Sequence, residues 1–108
     1  MKLAINALPL AGGGRFDLQR EGSRLLVVYK ESCPTCRLLL PVLEEVYRLS
    51  GRVLPVLLVS QDDSRATAAT AMALGISMPV LLDAPAYELS CTIGLAGVPV
   101  SVLLDSGG

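Results

Sequence analysis

The feature that most constrains the fold is an apolar run from Arg24 to Tyr29 that is followed almost at once by a helical pattern. A short run with apolar residues at nearly every position is typical of a strand that is buried on both faces. From Pro34 to Ser50 the apolar residues instead recur at helical spacing, and Gly51 follows as a stop signal. A strand that needs cover on both faces, followed directly by a helix, predicts an α/β fold.

The same alternation of strands and helices continues along the chain. Apolar runs predict three more strands, and an Ala-rich and a periodic segment predict two more helices. The predicted strands are Val53 to Val59 (with Pro55 near its start), Pro79 to Asp83 and Val100 to Leu104; the predicted helices are Ser64 to Leu74, capped by Asp63 or Ser64 and by Gly75, and Pro85 to Ile93, stopped by Gly94. A chain of 108 residues has room for one core, so residues 1–108 are expected to form a single domain.

The periodicity also predicts which side chains are buried. On the helix that begins at Pro34, an apolar stripe is expected to face the sheet, and charged residues are expected to face solvent. The stripe comprises Leu39, Val42, Leu43, Val46 and Leu49, and the charged face comprises Arg37, Glu44, Glu45 and Arg48. Met72 and Met78 are expected in the core. Cys91 is interpreted as a half-buried small residue, with a third redox thiol or an intermolecular bridge as the alternatives.

Charge and composition exclude several classes of function. The formal net charge is -1 and the basic residues are scattered, so neither nucleic acid nor an anionic membrane surface is predicted as a partner. No apolar run approaches the roughly 18 residues of a membrane span. The N-terminal apolar stretch is interrupted by Asn6 and Pro9, so it is unlike a signal peptide, and the default expectation is a cytoplasmic protein. The absence of histidine excludes Cys-His and Ser-His-Asp catalysis.

Two thiols, Cys33 and Cys36, stand where the apolar run gives way to the helix. A Cys-x-x-Cys pair can be half of a metal site, two ordinary core residues or a redox pair. A zinc site needs two further ligands, and Cys91 is the only other thiol in a chain without histidine. No metal site is therefore predicted.

The position of the pair favours redox chemistry. At a strand-to-helix junction Cys33 lies at or near the N-cap, with Pro34 in the first turn, where proline is favoured. Free amide groups and the positive end of the helix dipole lower the pKa of such a thiol from its ordinary value of about 8.5. Lys30 and Arg37 favour the thiolate and Glu31 opposes it, but exposed neighbours contribute less than the helix terminus. Cys33 is therefore the expected nucleophile, and Cys36, one turn further in, is the expected resolving thiol.

Several motifs resemble the thioredoxin fold. They are Cys33-Pro34-Thr35-Cys36, Pro41 five residues after the second thiol, and Gly97-Val98-Pro99 before an apolar strand. Three more segments resemble the redoxin branch of this fold, the TlpA-like thiol:disulfide oxidoreductases: Gly14 to Leu18, Val59 to Asp62, and Pro79 to Asp83. Together these segments cover nearly the whole chain.

The resemblance implies a mixed sheet flanked by helices and a redox activity that needs no bound cofactor. Pro99 would be a cis-proline facing the two thiols, and the backbone of Val98 would pair with an extended substrate. Pro34 and Thr35 would complete the substrate-binding surface, and the partners would be protein or small-molecule disulfides and dithiols. TlpA-like proteins are often extracytoplasmic, which is the alternative to a cytoplasmic location.

Two substitutions depart from the thioredoxin pattern at the active site. Thioredoxins carry a tryptophan before the first cysteine, where this chain has Ser32, and a buried aspartate on the central strand, where it has Val27. Without that aspartate, the proton carrier for Cys36 is left open among water, Lys30 and Glu31.

A third departure concerns the last strand. The family continues into an edge strand and a final helix, which this chain apparently lacks. The strand from Val100 to Leu104 would then be an unprotected edge with almost no charge. This predicts that the chain is not a stable monomer and that two copies pair as a homodimer through this strand or exchange elements to rebuild the sheet.

Two alternatives to a thiol:disulfide oxidoreductase stay open. Cys-Pro-Thr resembles the peroxidatic loop of peroxiredoxins, but their threonine three residues before the cysteine is replaced here by Lys30. The other alternative is a non-catalytic interaction module with the thioredoxin fold. Turnover of a disulfide substrate would separate the module from both enzymes.

Overall fold

The computed structural model describes residues 7–18, 24–51, 56–84, 86–94 and 97–104. Its elements are β1 (Ala7–Pro9), β2 (Arg15–Asp17), β3 (Arg24–Tyr29), α1 (Pro34–Leu49), β4 (Val56–Ser60), α2 (Ser64–Leu74), β5 (Val80–Leu82), α3 (Glu88–Thr92) and β6 (Val100–Leu104). Strands β1 and β2 form an antiparallel hairpin. The other four strands form one mixed sheet in the order β5-β4-β3-β6, in which only β6 is antiparallel to its neighbour. The predicted α/β class with a mixed sheet is confirmed.

Strand β3 is the centre of the core because its two faces bury different clusters. Leu26 and Val28 pack in one cluster with residues of β4, β5 and α3. Val27 and Tyr29 pack on the opposite face with Cys36 and other residues of α1. This arrangement explains why the run has almost no polar positions, since a strand covered on both faces cannot place polar side chains in water.

The predicted elements agree with the structure except at some ends. Strands β3 and β6 and helix α2 have the predicted bounds, and α2 begins after Asp63 and ends at Gly75, whose backbone is left-handed. Helix α1 ends at Leu49, and α3 comprises only Glu88–Thr92. The predicted starts of β4 at residues 53–55 and of α3 at residue 85 lie outside the described residues.

The predicted facing of α1 is partly wrong. Glu44, which was expected in solvent, is only 4% exposed, whereas Leu49 of the predicted apolar stripe is 81% exposed. Val42 and Val46 are also exposed, while Leu39 and Leu43 are partly buried against the core. Glu44 is buried because it accepts hydrogen bonds from the segment between α2 and β5.

Glu44 is fastened by four donors. The backbone N–H groups of Ser77 and Met78 donate to Oε1 over 2.7 and 3.0 Å. The Ser77 hydroxyl and Arg48 Nε donate to Oε2, each over 2.6 Å. A buried carboxylate is tolerated when it is hydrogen-bonded in this way. These bonds tie α1 to the segment that leads into β5.

Two further burial predictions have opposite outcomes. Met78 lies in the core as expected, but Met72 on α2 is 86% exposed, so its assignment to the core is wrong.

Within the described residues, β6 has β3 as its one strand neighbour. None of the helices in the described ranges is long and apolar enough to span a membrane.

Candidate active site

The two thiols lie where β3 hands over to α1. Cys33 has an extended backbone and is the N-cap of α1, and Pro34 is the first helical residue. The Cys33 N–H donates to the Lys30 carbonyl over 3.3 Å, and the Cys33 carbonyl accepts from the Arg37 N–H over 3.1 Å. Proline suits the first helical position because its missing N–H would have no helical partner there. The short turn after β3 therefore fixes Cys33 at the open end of the helix.

The Cys33 sulfur has contacts on two sides. It accepts a hydrogen bond from the Cys36 N–H over 3.4 Å, which is the capping interaction of α1. The thiol also lies 3.7 Å from the Val98 carbonyl oxygen, to which it can donate. Cys33 is partly exposed, while Cys36 is completely buried, and both are free thiols.

The Val98 carbonyl reaches the thiol because of the sheet register. Strand β6 runs antiparallel to β3, and Val100 pairs with Val28 near the end of β3. The residues just before β6 therefore lie beside the turn that carries Cys33. The Val98–Pro99 peptide bond is cis. Val98 packs against both core clusters, and Pro99 is partly buried.

The remaining two residues of the motif face solvent. Pro34 and Thr35 are both exposed, next to the partly exposed Cys33. The structure thus places the motif from Cys33 to Cys36 and the segment Val98–Pro99 on one surface, with only Cys36 enclosed.

The environment of Cys33 favours its thiolate. Hydrogen bonds from the backbone and thiol of Cys36 lower the pKa of Cys33 below its ordinary value, and burial opposes them only in part. The backbone of Thr35 and the positive charge of Lys30 lower this pKa further. The Thr35 and Cys36 amides lie in the first turn of α1, so they stabilise the Cys33 thiolate as a helix N-terminus stabilises an anion.

The environment of Cys36 has the opposite effect. Burial is the largest cause, and it raises the pKa of Cys36 to about 11. A backbone hydrogen bond from Lys30 lowers this pKa, whereas the neighbouring Cys33 and the negative charge of Asp62 raise it. One turn of helix therefore carries one thiol whose pKa is lowered and one whose pKa is raised.

The motif analysis did not identify the surroundings of Cys36. Tyr29 is buried, and desolvation is the main reason why its pKa is raised to about 12. Asp62 follows β4, and its Oδ2 accepts from the Glu31 N–H over 2.8 Å. The signal that could have found Asp62 is topological, because the carboxyl ends of adjacent parallel strands meet at one edge of a sheet. Ser60, two residues before Asp62, pairs with Tyr29 in that register.

Cys91 lies outside this site. It lies on α3 with an exposed side chain, so the expectation of a half-buried residue is wrong. No group of three or more Cys, Asp or Glu within the described ranges is arranged to hold a metal ion.

No protein-family model and no curated protein significantly matches the chain by sequence. Solved structures do match it. StoA from Bacillus subtilis is 19% identical, with a TM-score of 0.83 over 98% of this chain and 85% of that one. A secreted Mycobacterium tuberculosis disulfide oxidoreductase homologous to E. coli DsbE is 17% identical, with a TM-score of 0.80 over 94% and 77%.

A peroxide-reducing protein also shares the fold. The bacterioferritin comigratory protein of Xanthomonas campestris, which was studied for alkyl peroxide reduction, is 19% identical, with a TM-score of 0.75 over 94% of this chain and 74% of that one. The TM-scores establish a shared fold, and identities this low show nothing beyond the fold. The chain therefore has the thioredoxin fold that these proteins share.

Proposed function

We propose that the protein is a thiol:disulfide oxidoreductase in which Cys33 is the nucleophile and Cys36 is the resolving thiol. The observation that carries this proposal is the different environment of two thiols in one turn, one at the open end of the helix and one enclosed. Cys33 is partly exposed and accepts from the Cys36 amide, whereas Cys36 is buried and its pKa is raised to about 11. An exposed thiolate beside a protected thiol is the arrangement that sequential exchange requires.

The exchange proceeds in two displacements. The Cys33 thiolate attacks one sulfur of a substrate disulfide, so that a bond from Cys33 to that sulfur forms while the substrate S–S bond breaks. The departing substrate thiolate takes a proton from solvent. Cys36 then loses its proton and attacks the Cys33 sulfur, which releases the second substrate thiolate and forms the Cys33–Cys36 disulfide. Two electrons pass from protein to substrate, and the reverse sequence oxidises a dithiol.

The surface around Cys33 suits a protein or peptide substrate. Pro34 and Thr35 are exposed beside the sulfur, and the Val98 carbonyl lies 3.7 Å from it. We expect the Val98 backbone to pair with an extended substrate segment, with Pro99 beside the disulfide. Pairing of two copies through β6 stays a prediction.

A peroxidase is the second candidate, because the Xanthomonas protein with alkyl peroxide reduction activity has a similar fold. The thiolate would attack a peroxide oxygen, forming a sulfenic acid on Cys33 and releasing an alcohol or water. Lys30 occupies the position of the hydrogen-bonding threonine in peroxiredoxins. Consumption of an alkyl hydroperoxide, measured beside disulfide turnover, compares the two activities.

Trapping of the mixed disulfide tests the proposal. Cys36→Ser in a Cys91→Ser background is expected to accumulate about one equivalent of mixed disulfide with oxidised glutathione or a peptide disulfide, because the first displacement occurs without the second. Cys33→Ser in the same background is expected to form little. Mass spectrometry of the intact protein measures both.

The outcomes separate the candidates. Equal trapping by the two variants would remove the assignment of roles. Absence of trapping with rapid peroxide consumption would favour the peroxidase, and absence of both activities in the folded protein would favour a non-catalytic module. The Cys91→Ser protein itself serves as the control, since Cys91 lies on α3 outside the site.

A further inference from the structure

The turn before Cys33 is held by side chains from two other elements. Asp62, after β4, accepts from the Glu31 N–H over 2.8 Å. Thr70, on α2, donates from its hydroxyl to Glu31 Oε2 over 3.0 Å. Glu31 is partly exposed and Thr70 is buried. One residue, two positions before the nucleophile, is therefore bonded through both its backbone and its side chain.

These two bonds have different effects. The Asp62 bond fixes the backbone of Glu31, whereas the Thr70 bond fixes the direction of its side chain. If the Thr70 hydroxyl were lost, the backbone would stay in place and the carboxylate would be free to move. A carboxylate that swings within a few ångströms of a thiol disfavours the thiolate, because like charges repel.

The groups around Cys33 include charges of both signs. Lys30, on the same turn, contributes a positive charge that lowers the pKa of Cys33, and Cys36 contributes hydrogen bonds from α1. Asp62 carries the negative charge at the end of β4 and acts on Cys36. Glu31 carries the other negative charge of the turn, and its carboxylate is bonded to α2.

We propose that Thr70 is a positioning residue for the thiol exchange, because its hydroxyl holds the Glu31 carboxylate against α2 and away from Cys33. This inference rests on the proposed function, because positioning matters for exchange only if Cys33 is the nucleophile. Its test measures alkylation of Cys33, which does not require exchange. The turn can then carry a glutamate next to the motif without the cost that its charge would impose on the nucleophile. Sequence alone places Glu31 as an opposing charge, and the structure shows where that charge is bound.

The test is the rate at which Cys33 is alkylated as a function of pH, in the reduced Cys91→Ser protein. Thr70→Val has nearly the shape of threonine and removes only the hydroxyl. It is expected to move the profile to higher pH and to slow alkylation about two- to fivefold on the rising part of the profile. Thr70→Ser keeps the hydroxyl and is expected to retain the parent profile.

Two further variants separate positioning from a general loss of packing. Thr67→Val is the comparison variant, because Thr67 is also a buried threonine of α2, but its hydroxyl bonds to Ser60, over 2.7 Å, and to the Asp62 carbonyl, over 3.4 Å, and not to the Glu31 carboxylate. It is expected to lose stability in urea without moving the Cys33 profile. Adding Glu31→Gln to Thr70→Val is expected to restore the rate to that of Glu31→Gln alone, since a neutral side chain needs no restraint.

An unchanged profile in Thr70→Val would overturn the proposal, and so would a double variant that stays as slow as Thr70→Val. A shift of the same size in Thr67→Val would show that loosening of α2 or of the Asp62 backbone is the cause, and would overturn the role given to the Glu31 carboxylate. Trapping by Cys36→Ser reports on the proposed function independently, because alkylation needs no disulfide substrate. Successful trapping with an unchanged Thr70→Val profile would therefore refute this inference alone.

Discussion

Helix α1 stabilises an anion at two places, and the two places differ in how far they are enclosed. At its first turn, backbone and thiol donors converge on the Cys33 sulfur, which stays partly exposed. Two turns later, four donors converge on the Glu44 carboxylate, which is almost completely buried. The pKa of each group is lowered. The same interaction therefore stabilises a partly exposed anion at one end of the helix and an enclosed anion in its middle.

The balance of forces at Glu44 explains the attachment. Burial is the largest single influence and would raise the pKa of Glu44, but the bonds from Ser77, Arg48 and Met78 together outweigh it. If the Glu44 carboxylate were removed, its buried donors would lose their hydrogen-bond acceptor, which costs free energy. Cys33 keeps an open side, as the proposed exchange with a substrate disulfide requires.

The largest expected effect is a difference between the two thiols in alkylation. At pH 7 a thiol with a pKa of about 11 is ionised in about one molecule in ten thousand. Burial shields Cys36 further, so iodoacetamide is expected to modify Cys33 at least about a hundredfold faster in the reduced Cys91→Ser protein. Peptide mass spectrometry after timed quenching measures both rates.

Unfolding supplies the control for this comparison. In concentrated urea the two cysteines lose the helix terminus and the burial that distinguish them, so their rates are expected to converge. Similar rates in the folded protein would show that the first turn of α1 does not separate the thiols.

The next effect concerns the enclosed anion. Glu44→Gln places an amide NH₂ group among donors and is expected to lower the free energy of unfolding by about 2 kcal/mol. Glu45→Gln is the matched control, because Glu45 is the exposed neighbour on the same helix, and its effect is expected to stay within about 0.5 kcal/mol. Urea unfolding followed by circular dichroism measures both, and the alkylation of Cys33 is expected to be unchanged.

The difference in stability between the parent protein and Glu44→Gln is expected to depend on pH. Because the pKa of folded Glu44 is lowered, its contribution is present above the unfolded carboxyl pKa, near 4.5, and is lost as the pH falls through the lower folded value. The difference in stability between the parent and Glu44→Gln should therefore narrow in acid. A difference that stays constant from neutral pH into strong acid would mean that the Glu44 charge contributes little.

The comparison also separates what the sequence predicts from what it leaves hidden. Cys33 could be placed at the N-cap because a strand run, a proline and a helical pattern are local signals. The helix α2 could likewise be bounded by Asp63 and Gly75, whose caps depend only on neighbouring backbone. Local chemistry was therefore enough to place Cys33 at the N-cap of α1 and to predict most of the elements.

The contacts that cross the fold could not be predicted in this way. Glu44 was assigned to solvent, because its true partners, Ser77 and Met78, are more than thirty residues away. The bond from Thr70 to Glu31 spans 39 residues. The placement of Val98 beside Cys33 followed from a resemblance to a known fold, and no periodicity in the chain indicates it. Each of these contacts depends on sheet register, which a single sequence does not specify.

The smallest expected effect tests how open the reactive end is. Lys30 is exposed, and its charge is a smaller influence on the pKa of Cys33 than the hydrogen bonds from Cys36 and Thr35. Lys30→Gln is therefore expected to slow alkylation only about twofold on the rising part of the pH profile. Salt at about 1 M should remove this difference, because screening acts on exposed charges, whereas the contribution of the α1 amides should persist. A large, salt-independent loss in Lys30→Gln would mean that Lys30 also shapes the turn, through the bond from Cys33 to its carbonyl.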